Sequence, residues 1–249
     1  MHPVLLVTGG SQGIGAATAR LAATRGYAVC LTYLRSADKA RAIVEAITDA
    51  GGTAMAVQAD TGDERSIEAA FARVDADLGR VAAVVNNAGI TGPVATLDRV
   101  TGAALDEVMR INVTGCFLVL REAVRRMATD LGGPGGAVVN VSSRASTLGG
   151  PGEWVHYAAS KAAVDTLTIG ASKELAPRGI RVNAVNPGLI DTEIHAKAGM
   201  MPDRVQRMAD SIPMRRAGTA EEVAETILWL LSPQASYVTG ALVAVAGGR

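Results

Sequence analysis

The chain predicts an α/β fold: a doubly wound parallel β-sheet of about seven strands, flanked by helices, in one domain spanning 1–249. Three observations carry that prediction. Short runs rich in β-branched residues alternate with longer alanine-rich stretches of helical periodicity, the order of a parallel sheet with crossover helices. Several of the runs are apolar at consecutive positions, as strands covered on both faces must be. The 28 glycines concentrate at the turns between runs, where a chain reverses or approaches another segment closely, and not in a low-complexity tract.

The elements follow in order. "VLLVT" at 4–8 is the first strand, leading through a glycine-rich turn to a helix over 13–25. "AVCLTY" at 28–33 precedes a helix over 37–50, and "TAMAVQAD" at 53–60 precedes one over 64–78. "VAAVVNN" at 81–87 leads into one long helical pattern over 103–129, and "GAVVNVSS" at 136–143 into another over 157–176. After "IRVNAVNPG" at 180–188 come helical patterns over 193–210 and 219–231, and "ALVAVAGG" at 241–248 supplies the last strand. The longest irregular pieces, 86–102 and 144–156, do not have linker composition. In such a sheet a ligand binds beyond the carboxyl ends of the strands, so those positions hold the chemistry.

Composition narrows the function. Basic and acidic residues number 24 each, so no net field favours nucleic acid or an anionic membrane. No apolar run reaches the length of a membrane span, and the start "MHPVLLVTGG" lacks the flank and cleavage site of a signal peptide, which together predict a cytoplasmic protein. Cys30 and Cys116 sit within apolar segments and are expected to be buried free thiols. The three histidines are scattered, so no metal site is expected.

After the first strand, "TGGSQGIG" places Gly9, Gly13 and Gly15 in a turn that runs straight into a helix. Glycines there permit positive φ and close approach of a ligand, and the helix offers its first N–H groups to a pyrophosphate. The spacing is TGxxxGxG, not GxGxxG, and the lysine of a nucleoside-triphosphate loop is missing. At the end of the second strand, Tyr33 stands where an acid would hold the ribose 2′-hydroxyl of NAD, and Arg35 with Ser36 follows. An arginine at this place accommodates a 2′-phosphate, so NADP(H) is preferred, with NAD(H) possible and Asp38 pulling the other way. Asp60, after the third strand, either accepts from the adenine amino group or caps the helix that "DTGDE" begins.

Tyr157 and Lys161, in "HYAASKAA", lie four residues apart and so share one face of a helix. A cation beside a phenol favours phenolate and lowers its pKa from about 10. The fourth strand ends in "NNAG", the fifth in "NVSSR" with Ser142 and Ser143, and Asn112 interrupts a helical pattern where its propensity is poor.

Taken in order, these motifs make the whole chain resemble the short-chain dehydrogenase/reductase family, in its branch of 3-oxoacyl-acyl-carrier-protein reductases and glucose dehydrogenases. The resemblance implies a Rossmann-type fold and a catalytic tetrad of Asn112, Ser143, Tyr157 and Lys161. Tyr157 would exchange a proton with the substrate oxygen, and Ser143 would hold that oxygen. Lys161 would lower the tyrosine pKa and bind the nicotinamide ribose, and Asn112 would anchor a water in the proton relay. It also implies cofactor contacts from Gly9, Ser11, Gly13, Ile14, Gly15, Arg35, Ser36, Asp60, Thr61, Asn87, Ala88, Gly89, Pro187, Gly188, Ile190 and Thr192. The chain departs from the family pattern in a longer Ser143–Tyr157 segment, which keeps Ser142 as an alternative, and in Ala246, where an acid is usual.

The reaction so implied is NAD(P)-linked hydride transfer between a carbonyl and a secondary alcohol of small molecules; the alternative is an idle NADP-binding sensor or scaffold. Residues 191–216 fall at the family's substrate lid, and Glu153, Trp154 and His156 adjoin Tyr157. A homotetramer is expected, because apolar and small residues of the long helices, including Ala123, Met127, Ala163, Leu167 and Ala171, exceed what one sheet face should cover.

Overall fold

The computed structural model describes residues 2–192 and 209–249. Its strands are β1 (Val4–Val7), β2 (Ala28–Tyr33), β3 (Thr53–Gln58), β4 (Val81–Asn86), β5 (Gly136–Val141), β6 (Ile180–Pro187) and β7 (Leu242–Val245). They form one parallel sheet in the order β3-β2-β1-β4-β5-β6-β7. The chain steps outward from β1 to β3, returns to the other side of β1 as β4, and continues to β7. Connections leaving β1 and β4 therefore diverge, and a crevice opens between them at the carboxyl ends.

Two cores sandwich the sheet. Val4 and Leu6 point to one face, where Ile67 and Phe71 of α3 (Glu64–Asp77), Val119 and Met127 of α5 (Gly115–Met127), and Leu175 of α7 (Val155–Leu175) pack. Leu5 and Val7 point to the other, against Ala19 of α1 (Gly13–Thr24), Ile47 of α2 (Ala37–Asp49) and Ile227 of α8 (Ala220–Leu231). The consecutive apolar positions in β1 thus serve two cores, each fully buried large side chain contributing about 1.5–3 kcal/mol. At the edges this double coverage stops: β3 is only partly buried and Leu242 of β7 is 40% exposed.

The structure corrects several expectations. The helix expected over 103–129 is divided into α4 (Gly102–Met109) and α5 by a widened π turn at Arg110–Thr114, in which the Gly115 N–H reaches back to the Arg110 carbonyl. Asn112 lies in this turn, with its amide bonded to Ile90 and Ser160 outside the helix. The irregular stretch 144–156 contains a one-turn helix, α6 (Ala145–Leu148). Helix α8 carries a capping box between Thr219 and Glu222. Ala123, Met127 and Ala171 are core residues of this chain, so they give no reason to expect a partner; Phe117 (52%) and Ile169 (40%) are the large apolar side chains left exposed on α5 and α7. Most of the helix expected over 193–210, and of the lid at 191–216, lies outside the described residues.

Candidate active site

The turn from β1 to α1 is locked to the end of β4. Thr8 is buried, and its hydroxyl oxygen accepts from the backbone N–H groups of Asn87 (2.9 Å) and Ala88 (3.0 Å). Asn87 returns the contact, donating Nδ2 to the carbonyls of Thr8 (2.9 Å) and Gly9 (3.1 Å). Only glycine fits this approach: a Cβ on Gly15 would lie 2.6 Å from Asn87 Nδ2 and 2.7 Å from the Gly9 oxygen. Gly13 has φ of +54°, and a side chain there would point at Thr192, which follows β6. Gln12, at the N-cap position of α1, makes no side-chain capping bond to the first amides of the helix. Ser11 is buried in the same turn.

Farther along the carboxyl edge, Arg35 is exposed just beyond β2, and Ser36 stands at the N-cap position of α2 without a capping bond. Asp38 is engaged by Arg41 of its own helix at 2.6 Å. Asp63, not Asp60, caps α3, accepting from the Ser66 N–H at 2.8 Å. Asp60 instead accepts from the Gly62 N–H (2.8 Å) and from Arg110 Nη1 at 3.1 and 3.0 Å. Arg110, which the sequence reading passed over beside Asn112, thus orients the Asp60 carboxylate.

Ser143, Tyr157 and Lys161 converge on a cavity of about 210 Å³, whose wall also includes Ile14, Asn87, Gly89, Pro187, Gly188, Ile190 and Thr192. Three of the four predicted tetrad residues meet there with predicted cofactor residues, while Gly9, Ser11, Gly13, Gly15, Arg35, Ser36, Asp60, Thr61 and Ala88 do not line this wall. Ser142, the alternative, also lines this cavity, but its hydroxyl donates to the Lys161 carbonyl at 3.1 Å. Ser143 hydrogen-bonds the Tyr157 phenol.

Lys161 Nζ lies 5.8 Å from the centre of the Tyr157 ring and donates to the Val141 carbonyl at 2.7 Å. The expected lowering of the tyrosine pKa is not what the geometry produces. Burial pushes the phenol up, and the Ser143 hydrogen bond opposes this only in part. Burial also holds the Lys161 ammonium down at about 8, against the support of Cys116 and Asp165. Both groups are desolvated, so the neutral form of each gains; Tyr157 is a protonated acid near neutral pH, and Lys161 is poised just above it.

Asn112 lies outside the cavity wall. Its Oδ1 accepts from the Ile90 N–H (2.8 Å), and its Nδ2 donates to the Ile90 carbonyl (2.8 Å) and to Ser160 Oγ (2.9 Å). The side chain is fully engaged in tying the loop after β4 to α7. A Cβ on Gly89 would lie 3.1 Å from Asn112 Oδ1 and 3.4 Å from Lys161 Nζ, so that loop passes directly between the two. Asn186 and Asp165 form a further support: Asn186 Nδ2 donates to both Asp165 oxygens (3.0 and 3.1 Å) and to the Ser143 carbonyl at 3.3 Å. Asp165 was visible at four residues beyond Lys161 on the same helix face. Trp154 packs edge-on to Tyr157 with centroids 6.5 Å apart and lines the cavity with Glu153. His156 does not: it is buried beside Gly92 and Val108.

Cys30 and Cys116 are free and buried, each thiol pushed up to about 12 chiefly by burial. Neither is a nucleophile near neutral pH.

Residues 9–249 match the family described as enoyl-(acyl carrier protein) reductase. The chain is 53% identical over 246 residues to the uncharacterized oxidoreductase YgfF of Escherichia coli (strain K12), covering 99% of both sequences. It resembles a short chain dehydrogenase from Burkholderia cenocepacia J2315 in complex with NADP, with a TM-score of 0.89 at 33% identity over 99% of this chain and 97% of that one. It also resembles the 3-ketoacyl-(acyl-carrier-protein) reductase from Brucella melitensis complexed with NADH, with a TM-score of 0.91 at 32% identity over 99% and 98%.

Proposed function

The chain belongs to the short-chain dehydrogenase/reductase family and is an NAD(P)-dependent oxidoreductase, and from that premise we propose that it interconverts a carbonyl and a secondary alcohol with Tyr157 as the general acid and base. The observation that carries this reading is the meeting of Ser143, Tyr157 and Lys161 in one cavity at the mouth of the β1/β4 crevice. The residues present fit a dinucleotide. The uncapped start of α1 and the bare Gly13 suit a pyrophosphate, and Ile14, Gly188, Ile190 and Thr192 border the catalytic cavity as a nicotinamide would require.

When bound, the nicotinamide supplies or takes the hydride. The rest is done by the chain. Ser143 donates to the substrate oxygen as charge develops there, a contact worth about 3 kcal/mol in a transition state. Tyr157, kept neutral by burial, gives its proton to that oxygen during reduction and recovers it through neighbouring polar groups. Lys161 holds the ribose side of the site, and Asn112 acts by fixing the loop at Ile90 against Ser160. A cavity furnished in this way does not favour the idle sensor or scaffold. Nicotinamide absorbance followed with a panel of ketones, aldehydes and 3-oxoacyl thioesters tests the proposal; NADPH binding without turnover of any of them overturns it.

NADPH is the preferred cofactor in this reading, supported by exposed Arg35 and by the absence of an acid at Tyr33. A charge-assisted contact to the 2′-phosphate gives NADPH an advantage of about 10–100-fold in affinity. Arg35→Ala should narrow it, and equal or better kcat/KM with NADH in the unaltered enzyme would refute it.

A homotetramer is proposed through the same two long helices as expected from the sequence, but on other side chains, Phe117 and Ile169 on α5 and α7, and through Trp229 (44%), Tyr237 (100%) and Leu242 around α8 and β7. Light scattering should give a mass of four chains; an active monomer would exclude the assembly. Among the described residues no helix is long and apolar enough to cross a membrane.

A further inference from the structure

Asp165 is a buried acid that the proposed mechanism leaves unused. It is 8% exposed, lies one helical turn beyond Lys161 on the same face of α7, and forms no ion pair among the described residues. Both its oxygens accept instead from Asn186 Nδ2, at 3.0 and 3.1 Å. Asn186, buried at the end of β6, also reaches the Ser143 carbonyl and Ser146 Oγ with that nitrogen, each at 3.3 Å. Its own Oδ1 meets no partner. The carboxylate fixes which way this amide faces, because turning it over would set Oδ1 against two acid oxygens and the Ser143 carbonyl. Asp165 thereby acts on Ser143, whose Oγ accepts from the Ala145 N–H at 3.1 Å and so has its proton to give.

The second link is to Lys161, which is 5% exposed and donates to the Val141 carbonyl. A buried ammonium keeps its charge only where dipoles or an opposite charge replace water. Of the groups around it, Tyr157 on the same helix is raised above 10 and Cys116 of α5 to about 12, so both are neutral near pH 8. Glu153, Arg144 and Arg249 stand on the cavity wall. Asp165 is the buried acid of the same helix, and its charge favours the ammonium. We infer that Asp165 is a positioning residue for the proposed reaction: its carboxylate fixes Ser143 through Asn186 and is the counter-charge of Lys161. The inference rests on the proposed hydride transfer and adds a residue that ties the serine facing the substrate oxygen to the lysine on the ribose side.

Two variants separate the links. Asp165→Asn keeps an acceptor for Asn186 but removes the charge, and Asp165→Leu removes both. The titration of Lys161 is read by carbon-13 NMR of lysine labelled at Cε, in the protein without cofactor, with Lys161→Met identifying the signal. From about 8 in the unaltered protein, the midpoint should fall by about one unit in each variant, the lower end of what losing one nearby opposite charge produces. A merely structural acid would not move it. At pH 6, where Lys161 is mainly charged in all three proteins, kcat for a ketone of the panel should stay within about twofold in Asp165→Asn. In Asp165→Leu it should fall about tenfold, as a displaced serine entails, with KM for NADPH little changed. Turnover is counted per NADPH-binding site, so a smaller folded fraction does not alter the comparison. A lysine midpoint identical to that of the unaltered protein in both variants, or an unchanged kcat in Asp165→Leu, overturns the inference while leaving hydride transfer intact. Failure of the unaltered protein to reduce any carbonyl of the panel removes the underlying reading, and with it the part of Asp165, whatever the lysine signal does.

Discussion

Tyr157→Phe lowers turnover by about 10²–10⁴-fold, the range general acid catalysis supplies, and leaves NADPH affinity close to that of the unaltered enzyme. In the proposed mechanism the phenol oxygen is the proton carrier, whereas the ring, packed edge-on to Trp154, is retained by phenylalanine. Ser143 keeps its place in the variant, because Asn186 secures its carbonyl and its Oγ accepts from the Ala145 N–H at 3.1 Å. Stopped-flow measurement of the hydride step, paired with NADPH fluorescence titration, separates chemistry from binding. A variant that keeps most of its turnover would remove Tyr157 from the mechanism.

The second large effect is at Lys161. Its pKa of about 8 makes the ammonium the dominant form at pH 7 and a small minority at pH 9. If Lys161 holds the nicotinamide ribose as proposed, NADPH affinity should therefore fall as pH rises through about 8, where the ammonium loses its charge. Other groups nearby stay silent in this window. Tyr157 is raised above 10, Cys116 lies at about 12, and His156 is held below 6.5 by burial. Lys161→Met should lose about tenfold or more in NADPH affinity at pH 7, as expected for a charge-assisted contact, and its affinity should be flat from pH 7 to 9. Isothermal titration across that range measures both; the same pH step in the methionine variant would assign the titration to another group.

The inner strands were legible because hydrophobic burial on two faces writes itself into consecutive positions such as Val4 to Val7. The Tyr157–Lys161 pairing was legible because helical spacing is local. What escaped was non-local. Arg110 meets Asp60 across 50 residues, and Asn112 meets Ile90 and Ser160 across 22 and 48. Neither partner is marked in the local pattern, so the sequence suggested one long helix, and the loop-tying contacts of Asn112 were not foreseen. The direction of the tyrosine shift was missed for a related reason: spacing shows that a cation is near, but not that both groups are desolvated.

The widened turn at Arg110–Thr114 carries a consequence for anyone re-engineering the cofactor. Arg110 grips Asp60 after β3, and a Cβ on Gly62 would come within 2.2 Å of its guanidinium. Gly115 abuts the Thr61 carbonyl so closely that a Cβ would lie 2.8 Å from it, while Asn112 braces the helix that bears Tyr157. The proposed adenine-binding segment and the helix that bears Tyr157 therefore share one rigid joint. Swapping residues 60–62 to change nucleotide preference is not a modular operation in this chain, and compensating changes in the turn would have to be designed alongside it.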